Sequence, residues 1–303
     1  MEIAFFTEML FDRKISRNDP NLRTEFAWMV ALDAHHYNLS TCPEKEYDLG
    51  ILILPKKLST FDFAIFRQYC NCKKIAVMQE GPNWYWQDYD LAKQIWYFNT
   101  LSESDILFVH NESDKQYYKG LTSHGDVRVL PSLMIEESIG PLTDEHRSGV
   151  MIGGNFCSWY GGFDSFIVAQ EFKEAISAPS MGRRVEGEEQ LIQHLPYLTW
   201  KDWMHQLNKV KYGIHLMRTH AAGTFALNCA YLGIPCIGYR GLDTQQILHP
   251  DLTVEVGDLV SARKLAQKLM TDEEFYLYCS IGAKERYQSN YTEEEFKKKF
   301  YAN

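Results

Sequence analysis

The chain has 303 residues, 45% hydrophobic and 23% charged, which is ordinary for a globular protein of one large or two medium domains. Its formal net charge of −9, from 31 basic and 40 acidic residues, argues against non-specific nucleic-acid binding as its main task, because such binding rests on neutralising phosphates. No apolar run suits a membrane span, Glu2 and Glu8 interrupt any secretory signal, and the seven cysteines are scattered and odd in number, so a reducing, cytoplasmic setting is expected.

Residues 2–6 read as a short buried strand. Residues 21–34 read as a helix behind Pro20, with apolar positions at Phe26, Met29, Val30 and Leu32. Residues 49–54 form a near-continuous aliphatic run, the pattern of a parallel strand covered on both faces. A helix is expected near 61–70, a strand at 74–78, an amphipathic helix at 90–102 and a strand at 105–109. The segment His110-Asn111-Glu112-Ser113-Asp114 reads as a loop that caps the next helix. After a strand at 127–130, residues 131–149 mix Pro, Gly, Ser and acidic residues without periodicity and read as a linker.

The alternation then restarts. A strand at 150–152 leads to Gly153-Gly154-Asn155 and a helix at 162–175. A buried strand is expected at 211–216, a short apolar helix over Thr224–Leu232 and a strand at 235–238. Helices follow at 261–270 and 272–288, and Thr292 caps a last helix whose first turn is acidic. Two successive strand–helix alternations imply two doubly wound, Rossmann-like α/β domains facing a cleft. The expected division is 1–140, 141–275 and a helical tail at 276–303. Ligands of such folds sit at the carboxyl ends of the strands, so the cleft between the domains is the expected site.

Residues 212–238, YGIHLMRTHAAGTFALNCAYLGIPCIG, resemble the donor-binding segment of the family-four retaining glycosyltransferases, which have the two-domain GT-B fold. VEVGD at 254–258, LMTDEE at 269–274 and YQSNYTEEEF at 287–296 are similar to that family's closing helices and to its tail, which crosses back to the first domain. MIGGNFCSWYGG at 151–162 looks like the loop after the first strand of its second domain, and FVHNESD at 108–114 is a weaker match. The resemblance implies transfer of a sugar from a nucleotide-sugar donor to a hydroxyl acceptor, with retention and no protein nucleophile. Where the family carries a pair of glutamates around the donor loop, this chain has His220 and Asn228. The second glutamate usually holds the donor ribose, a task that the Asn228 amide suits. The first sits near the transferred sugar, so His220 is the departure that puts the sugar's identity in doubt. Short transferases of this look resemble those of tailed phages, where the acceptor can be a hydroxymethylated base in DNA, in which case the setting is the host cytoplasm. The −9 charge runs against that acceptor unless a basic groove exists.

The leaving diphosphate needs N–H donors and positive charge. Ala222, Gly223 and Thr224 stand where the short helix starts, and a helix N-terminus suits an anion. Arg218, Arg183 and Arg184 are the candidate cations, with surface ion pairs as the alternative for each. Asn155 and Ser158 are candidate ligands for phosphate or sugar hydroxyls. Residues 195–200 lie where the family holds the nucleotide base, with Tyr197 and Trp200 as the rings to pack on it and core packing as the alternative. On the acceptor side Thr7 and Glu8 end the first strand, Arg23 starts the helix behind it, and His110 ends a later strand. Glu80 follows another strand and is the candidate to orient or deprotonate an acceptor hydroxyl. Trp84 and Trp86 read either as stacking platforms or as rings anchoring a loop. The Asp88-Tyr89-Asp90 triplet matches a metal-binding pattern of other transferases but suits helix capping better, so no metal and no cofactor beyond the nucleotide-sugar is expected. A two-lobed binding protein without chemistry and a two-domain epimerase are the rival readings.

Overall fold

The structure is a computed structural model that describes residues 1–55, 61–78, 81, 83–122, 125–143, 146–154, 159–180 and 190–302. The first domain is built on a seven-stranded sheet of β1 (Ile3–Thr7), β2 (Arg13–Lys14), β3 (His35–Asn38), β4 (Tyr47–Ile53), β5 (Cys72–Met78), β6 (Ile106–Val109) and β7 (Val127–Val129). Their order is β2-β3-β1-β4-β5-β6-β7, and only the β2–β3 pair is antiparallel. The second domain is built on a six-stranded parallel sheet of β8 (Val150–Ile152), β9 (Ile176–Pro179), β10 (Gln193–Leu195), β11 (Tyr212–His215), β12 (Cys236–Tyr239) and β13 (Thr253–Val254). It runs β10-β9-β8-β11-β12-β13. The strand order reverses beside β1 in one sheet and beside β8 in the other, and clefts open at such points.

Period-two alternation lets the central strands bury both faces in different clusters. Ile3 and Phe5 face one apolar cluster, Ala4 and Phe6 another. Met151 faces the first of these clusters, Val150 and Ile152 a third. The cluster that holds Phe5 and Met151 runs between the two sheets and includes Phe225, Tyr287, Phe296 and Phe300, so the domains share one interior layer. Helices α10 (Glu273–Asn290) and α11 (Glu293–Ala302) carry the chain back to the first domain. There Phe300 packs on Phe108 of β6 at 6.0 Å, and Arg17 pairs with Glu293 at 2.7 Å.

Several expected boundaries move. The helix expected at 21–34 is α1, Glu25–Ala31, and residues 20–23 are drawn to the second domain instead. The Lys201 N–H donates to the Pro20 carbonyl at 3.1 Å, the Trp200 N–H to Asn21 Oδ1 at 3.2 Å, and Arg23 Nη2 to the Leu198 carbonyl at 2.6 Å. Thr24 sits at φ +37°, outside helical geometry, and so delays the helix. The expected linker is no loose tether: Leu133, Met134, Ile135 and Ile139 are buried, a short apolar run hidden among polar neighbours. The helix expected to reach 175 is α5, Gly162–Ala169, followed by a tighter turn. Helix α6 (Trp200–Leu207) was not anticipated, although its signal is legible: Thr199 Oγ1 accepts from the Asp202 N–H at 3.2 Å, the reciprocal spacing of a helix start. Asp90 caps α3 (Leu91–Glu103), its carboxylate accepting from the Lys93 N–H at 3.0 Å, as the capping account of the Asp88–Asp90 triplet requires.

Candidate functional site

A cavity of about 300 Å³ lies between the carboxyl ends of the two sheets. The first domain supplies Leu22, Arg23, Thr24 and His110, with Leu133 behind them. The second supplies Trp200 and Trp203 of α6, His215 at the end of β11, and the start of α7 (Thr224–Leu232). Among the described residues no carboxylate lines this cavity, in a chain whose net charge is −9.

Its polar atoms are arranged unusually. Buried polar atoms normally find a partner. Here Arg23 Nε, Trp200 Nε1, both ring nitrogens of His215 and Asn228 Oδ1 are buried without one among the described residues, and all four residues line the cavity. Burial pushes the His215 ring down to about 4, so it is neutral at pH 7 and offers one donor and one acceptor. Its ring is held edge-on to Phe225 at 5.4 Å and stacked on Tyr160 at 6.5 Å. His110 is buried beside Trp28, ring centroids 5.6 Å apart.

The start of α7 forms the opposite wall. Gly223 caps it at φ +65°, a conformation that favours glycine, and a Cβ there would collide with Thr244 Oγ1. That hydroxyl donates to the Gly223 carbonyl at 2.9 Å. Close packing on Thr244 therefore requires this glycine whether or not a ligand approaches. Carbonyls just before the helix are taken by first-domain donors: Asn111 Nδ2 donates to Ala221 O at 3.0 Å, and Ser132 Oγ donates to Ala222 O. The first-turn N–H groups have no acceptor inside their own helix, and residues Ala221 to Phe225 all line the cavity. The helix dipole adds positive potential at the same place.

The structure brings together Arg23, His110, Ala222, Gly223, Thr224 and Asn228. Other expected residues stand elsewhere. His220 lies outside the cavity lining, with Nδ1 2.9 Å from Asp114 Oδ1 and 3.2 Å from Ser113 Oγ; both partners belong to α4 (Glu112–Leu121) of the first domain. The hydrogen bond with the Asp114 carboxylate raises its pKa, against the effect of burial. Arg218 turns to Asp164 on α5, with Nε at 3.0 Å and Nη2 at 2.7 Å from one carboxylate oxygen, to which Tyr239 also donates. Tyr197 is 65% exposed, accepts from Asn21 Nδ2 and lies under the Arg23 guanidinium at 5.2 Å. Thr7 is committed to His36 at 2.8 Å and to the Met9 N–H, and Glu8 is partly exposed away from the lining. Trp84 meets Trp159 of the second domain at 6.0 Å, whereas Trp86 is buried against Tyr97 and anchors its loop. Asn111 does not cap α4 with its side chain but bonds across to the second domain. Glu80, Asn155, Ser158, Arg183 and Arg184 lie outside the described residues. Sequence reasoning passed over His215, although a histidine closing an otherwise aliphatic and aromatic strand is a visible irregularity.

No protein-family model and no curated protein matches the chain. Solved structures do. Anabaena HepE in complex with UDP-glucose aligns with a TM-score of 0.69 at 8% identity, covering 100% of this chain and 98% of that one. An α-glucosyltransferase in complex with UDP and a 13-mer DNA containing an HMU base aligns with a TM-score of 0.62 at 12% identity, over 99% of this chain and 98% of that one. The fold is GT-B. S. aureus TarM, in complex with fondaparinux, α-GlcNAc-glycerol and UDP, aligns at 9% identity and a TM-score of 0.62 over 84% of this chain, which spans only 55% of TarM. Among the described residues no helix of this GT-B chain is long and apolar enough to cross a membrane.

Proposed function

We propose that the chain is a glycosyltransferase that takes a sugar from a nucleotide-sugar donor seated in the cavity against α7. The observation that carries this reading is a cavity with no carboxylate among its described lining residues, in which the buried polar atoms of Asn228, Trp200, His215 and Arg23 stand beside a helix N-terminus without a described partner. Such a lining suits a ligand with an anionic middle and hydrogen-bonding ends. The neighbours bound to UDP-glucose or UDP support it.

In the proposed reaction the bond between sugar C1 and the diphosphate oxygen breaks, and its electron pair stays on the diphosphate. The acceptor hydroxyl oxygen forms the new bond to C1, and its proton passes to the released diphosphate. Developing negative charge is met by the N–H groups of α7 and by Arg23 rather than by a metal. The resemblance to retaining transferases makes retention the expected outcome. Asn228 is assigned to the donor ribose, and His110 to the sugar side.

The test is release of nucleoside diphosphate from a panel of nucleotide-sugars, with and without EDTA, followed by assignment of the product's anomeric configuration by NMR. EDTA-resistant release with retention is expected. DNA carrying a hydroxymethylated base belongs in the acceptor panel because of the likeness to the α-glucosyltransferase, although the net charge of −9 argues for a neutral acceptor. Tight donor binding without release from any donor would replace this reading with the two-lobed binding protein.

A further inference from the structure

Two indoles meet where the domains face each other. Trp84 belongs to the short turn Asn83–Asp88 that follows β5, and Trp159 to the segment between β8 and α5. Their ring centres lie 6.0 Å apart with the planes tilted by 52°. A tilted pair leaves ring faces uncovered: Trp159 is 41% exposed and Trp84 half-buried. Phe163, in the first turn of α5, is 67% exposed. A single exposed ring is ordinary on a protein surface, whereas a pair contributed by two domains beside a cavity calls for an occupant.

Both rings are held in place. Trp86 is buried and stacks on Tyr97 at 4.9 Å, which fixes the turn that carries Trp84. On the other side the Thr219 hydroxyl donates to the Trp159 carbonyl at 3.0 Å. Gly161, at φ +62°, lies so close to the Leu216 carbonyl that a Cβ would collide with it. The pair is also continuous with the cavity. Gly81 and Tyr160 line it, the first three residues before Trp84 and the second next to Trp159.

Charge decides between the ligands that such rings attract. Nucleobases and sugars both lay a flat face on an indole, but a nucleic-acid strand also needs cations along its phosphates. The described cations close to these rings in the chain are engaged. Arg218, next to Thr219, is held by Asp164 at 2.7 Å, and Lys93, in the helix after Trp84, lies over the Trp86 and Trp96 rings at 5.4 and 4.1 Å. A pyranose needs no cation: its C–H face is apolar and gains by leaving water, while its hydroxyls stay at the ring edge.

We propose that Trp84 and Trp159 form the platform for the acceptor, and that the acceptor is a neutral saccharide, one ring of which lies on the indoles with a hydroxyl directed into the cavity. This rests on reading the cavity as the donor site. That hydroxyl oxygen forms the bond to the donor sugar's C1 in the transfer described above. The platform selects for the shape of a ring rather than for charge.

The test is calorimetric titration of the wild-type chain, Trp84→Ala, Trp159→Ala and Trp159→Phe, each saturated with UDP. The titrants are maltotriose, cellotriose, triacetylchitotriose and a single-stranded oligothymidylate. One of the saccharides is expected to bind the wild-type chain. Each Ala variant should weaken it by roughly ten- to hundredfold, the weight of a ring stacked on an aromatic side chain. Trp159→Phe should lose less, because it keeps an aromatic face. UDP affinity should change by less than about twofold in all of them. Saturation-transfer NMR on the wild-type chain checks the contact without a variant, since irradiating aromatic protons should mark the C–H protons of one ring of the bound saccharide. Unchanged saccharide affinity in both Ala variants overturns the proposal, as does a wild-type chain that binds UDP but no saccharide. Tighter binding of the oligothymidylate, lost in Trp159→Ala, overturns it in favour of a nucleic-acid acceptor. A wild-type chain that does not bind UDP overturns the donor-site reading itself. Should the Ala variants fail to fold, Trp159→Phe and the NMR contact decide.

Discussion

Two polar regions join the same two domains, and they are built in opposite ways. In the cavity, Arg23, Trp200, His215 and Asn228 present buried polar atoms with no hydrogen-bond partner among the described residues. In the seam beside it, groups are matched across the gap. The Glu112 N–H donates to Asp243 at 2.8 Å, the Asp243 N–H to Asn111 Oδ1 at 3.0 Å, and His220 meets Asp114 at 2.9 Å. A satisfied polar seam fixes how two bodies fit. An unsatisfied one costs stability and is retained where a ligand completes it. In these two regions polar pairing goes with the seam and unpaired buried atoms with the cavity lining, although Trp86 Nε1 and Gln245 Oε1 are also buried without a described partner away from it.

The sharpest way to break this comparison is to make the cavity apolar. Asn228→Leu should lower transfer by roughly a hundredfold while leaving the melting temperature unchanged or higher, because a lone buried acceptor is removed. Unfolding curves and donor turnover measured on one preparation check it; a large loss of stability would place Asn228 with the structural groups. Gly223→Ala tests the wall itself. The left-handed backbone and the clash with Thr244 predict a loss of roughly 2–3 kcal/mol, read by urea unfolding, with donor binding lost alongside.

Titration separates the two regions by sign. His215 has its folded pKa depressed to about 4 by burial. The unfolded chain, with an ordinary histidine, therefore binds the extra proton first, and stability is lost as pH falls from about 6.5 toward that value. His36 and His249 act in the same window and direction. His220 is raised by Asp114, so its contribution is full below its unfolded pKa and is lost as pH rises through the higher folded one. His215→Phe should flatten the acid limb of a stability–pH curve, and Asp114→Asn the limb that begins above the ordinary histidine pKa. The second effect is smaller, about 0.5 kcal/mol, because the His220 side chain is 38% exposed and solvent screens the pair. The smallest effect is expected at Arg218. Bound to Asp164 rather than facing the cavity, it should change UDP affinity by less than about threefold on substitution by Gln, consistent with the modest worth of exposed ion pairs.

Much of the fold was legible because the signals are local. Aliphatic runs such as 49–54 give the parallel strands, and the apolar stretch 224–232 gives α7 with its glycine start. The site was half legible for a related reason. Gly223, Thr224 and Asn228 sit at the start and in the second turn of one helix, where spacing along the chain is also spacing in the molecule. His220 and Asp114 are 106 residues apart, and the pull of Leu198 on Arg23 spans 175. No periodicity encodes such contacts, so His220 looked like a group for the sugar and the segment before α1 looked helical. Arg218 misled differently: the buried carboxylate of Asp164 that claims it lies on another element.

The return of α11 to the first domain also has a consequence in time. Phe108 belongs to a strand formed early in synthesis, yet its cover, Phe300, is made after both sheets. At ~5–20 residues per second the wait is roughly 10–40 s. During that interval the growing chain carries a bare aromatic face on its older half, and Arg17 lacks its Glu293 partner. Helix α11 thus acts as the clasp that ends that exposure.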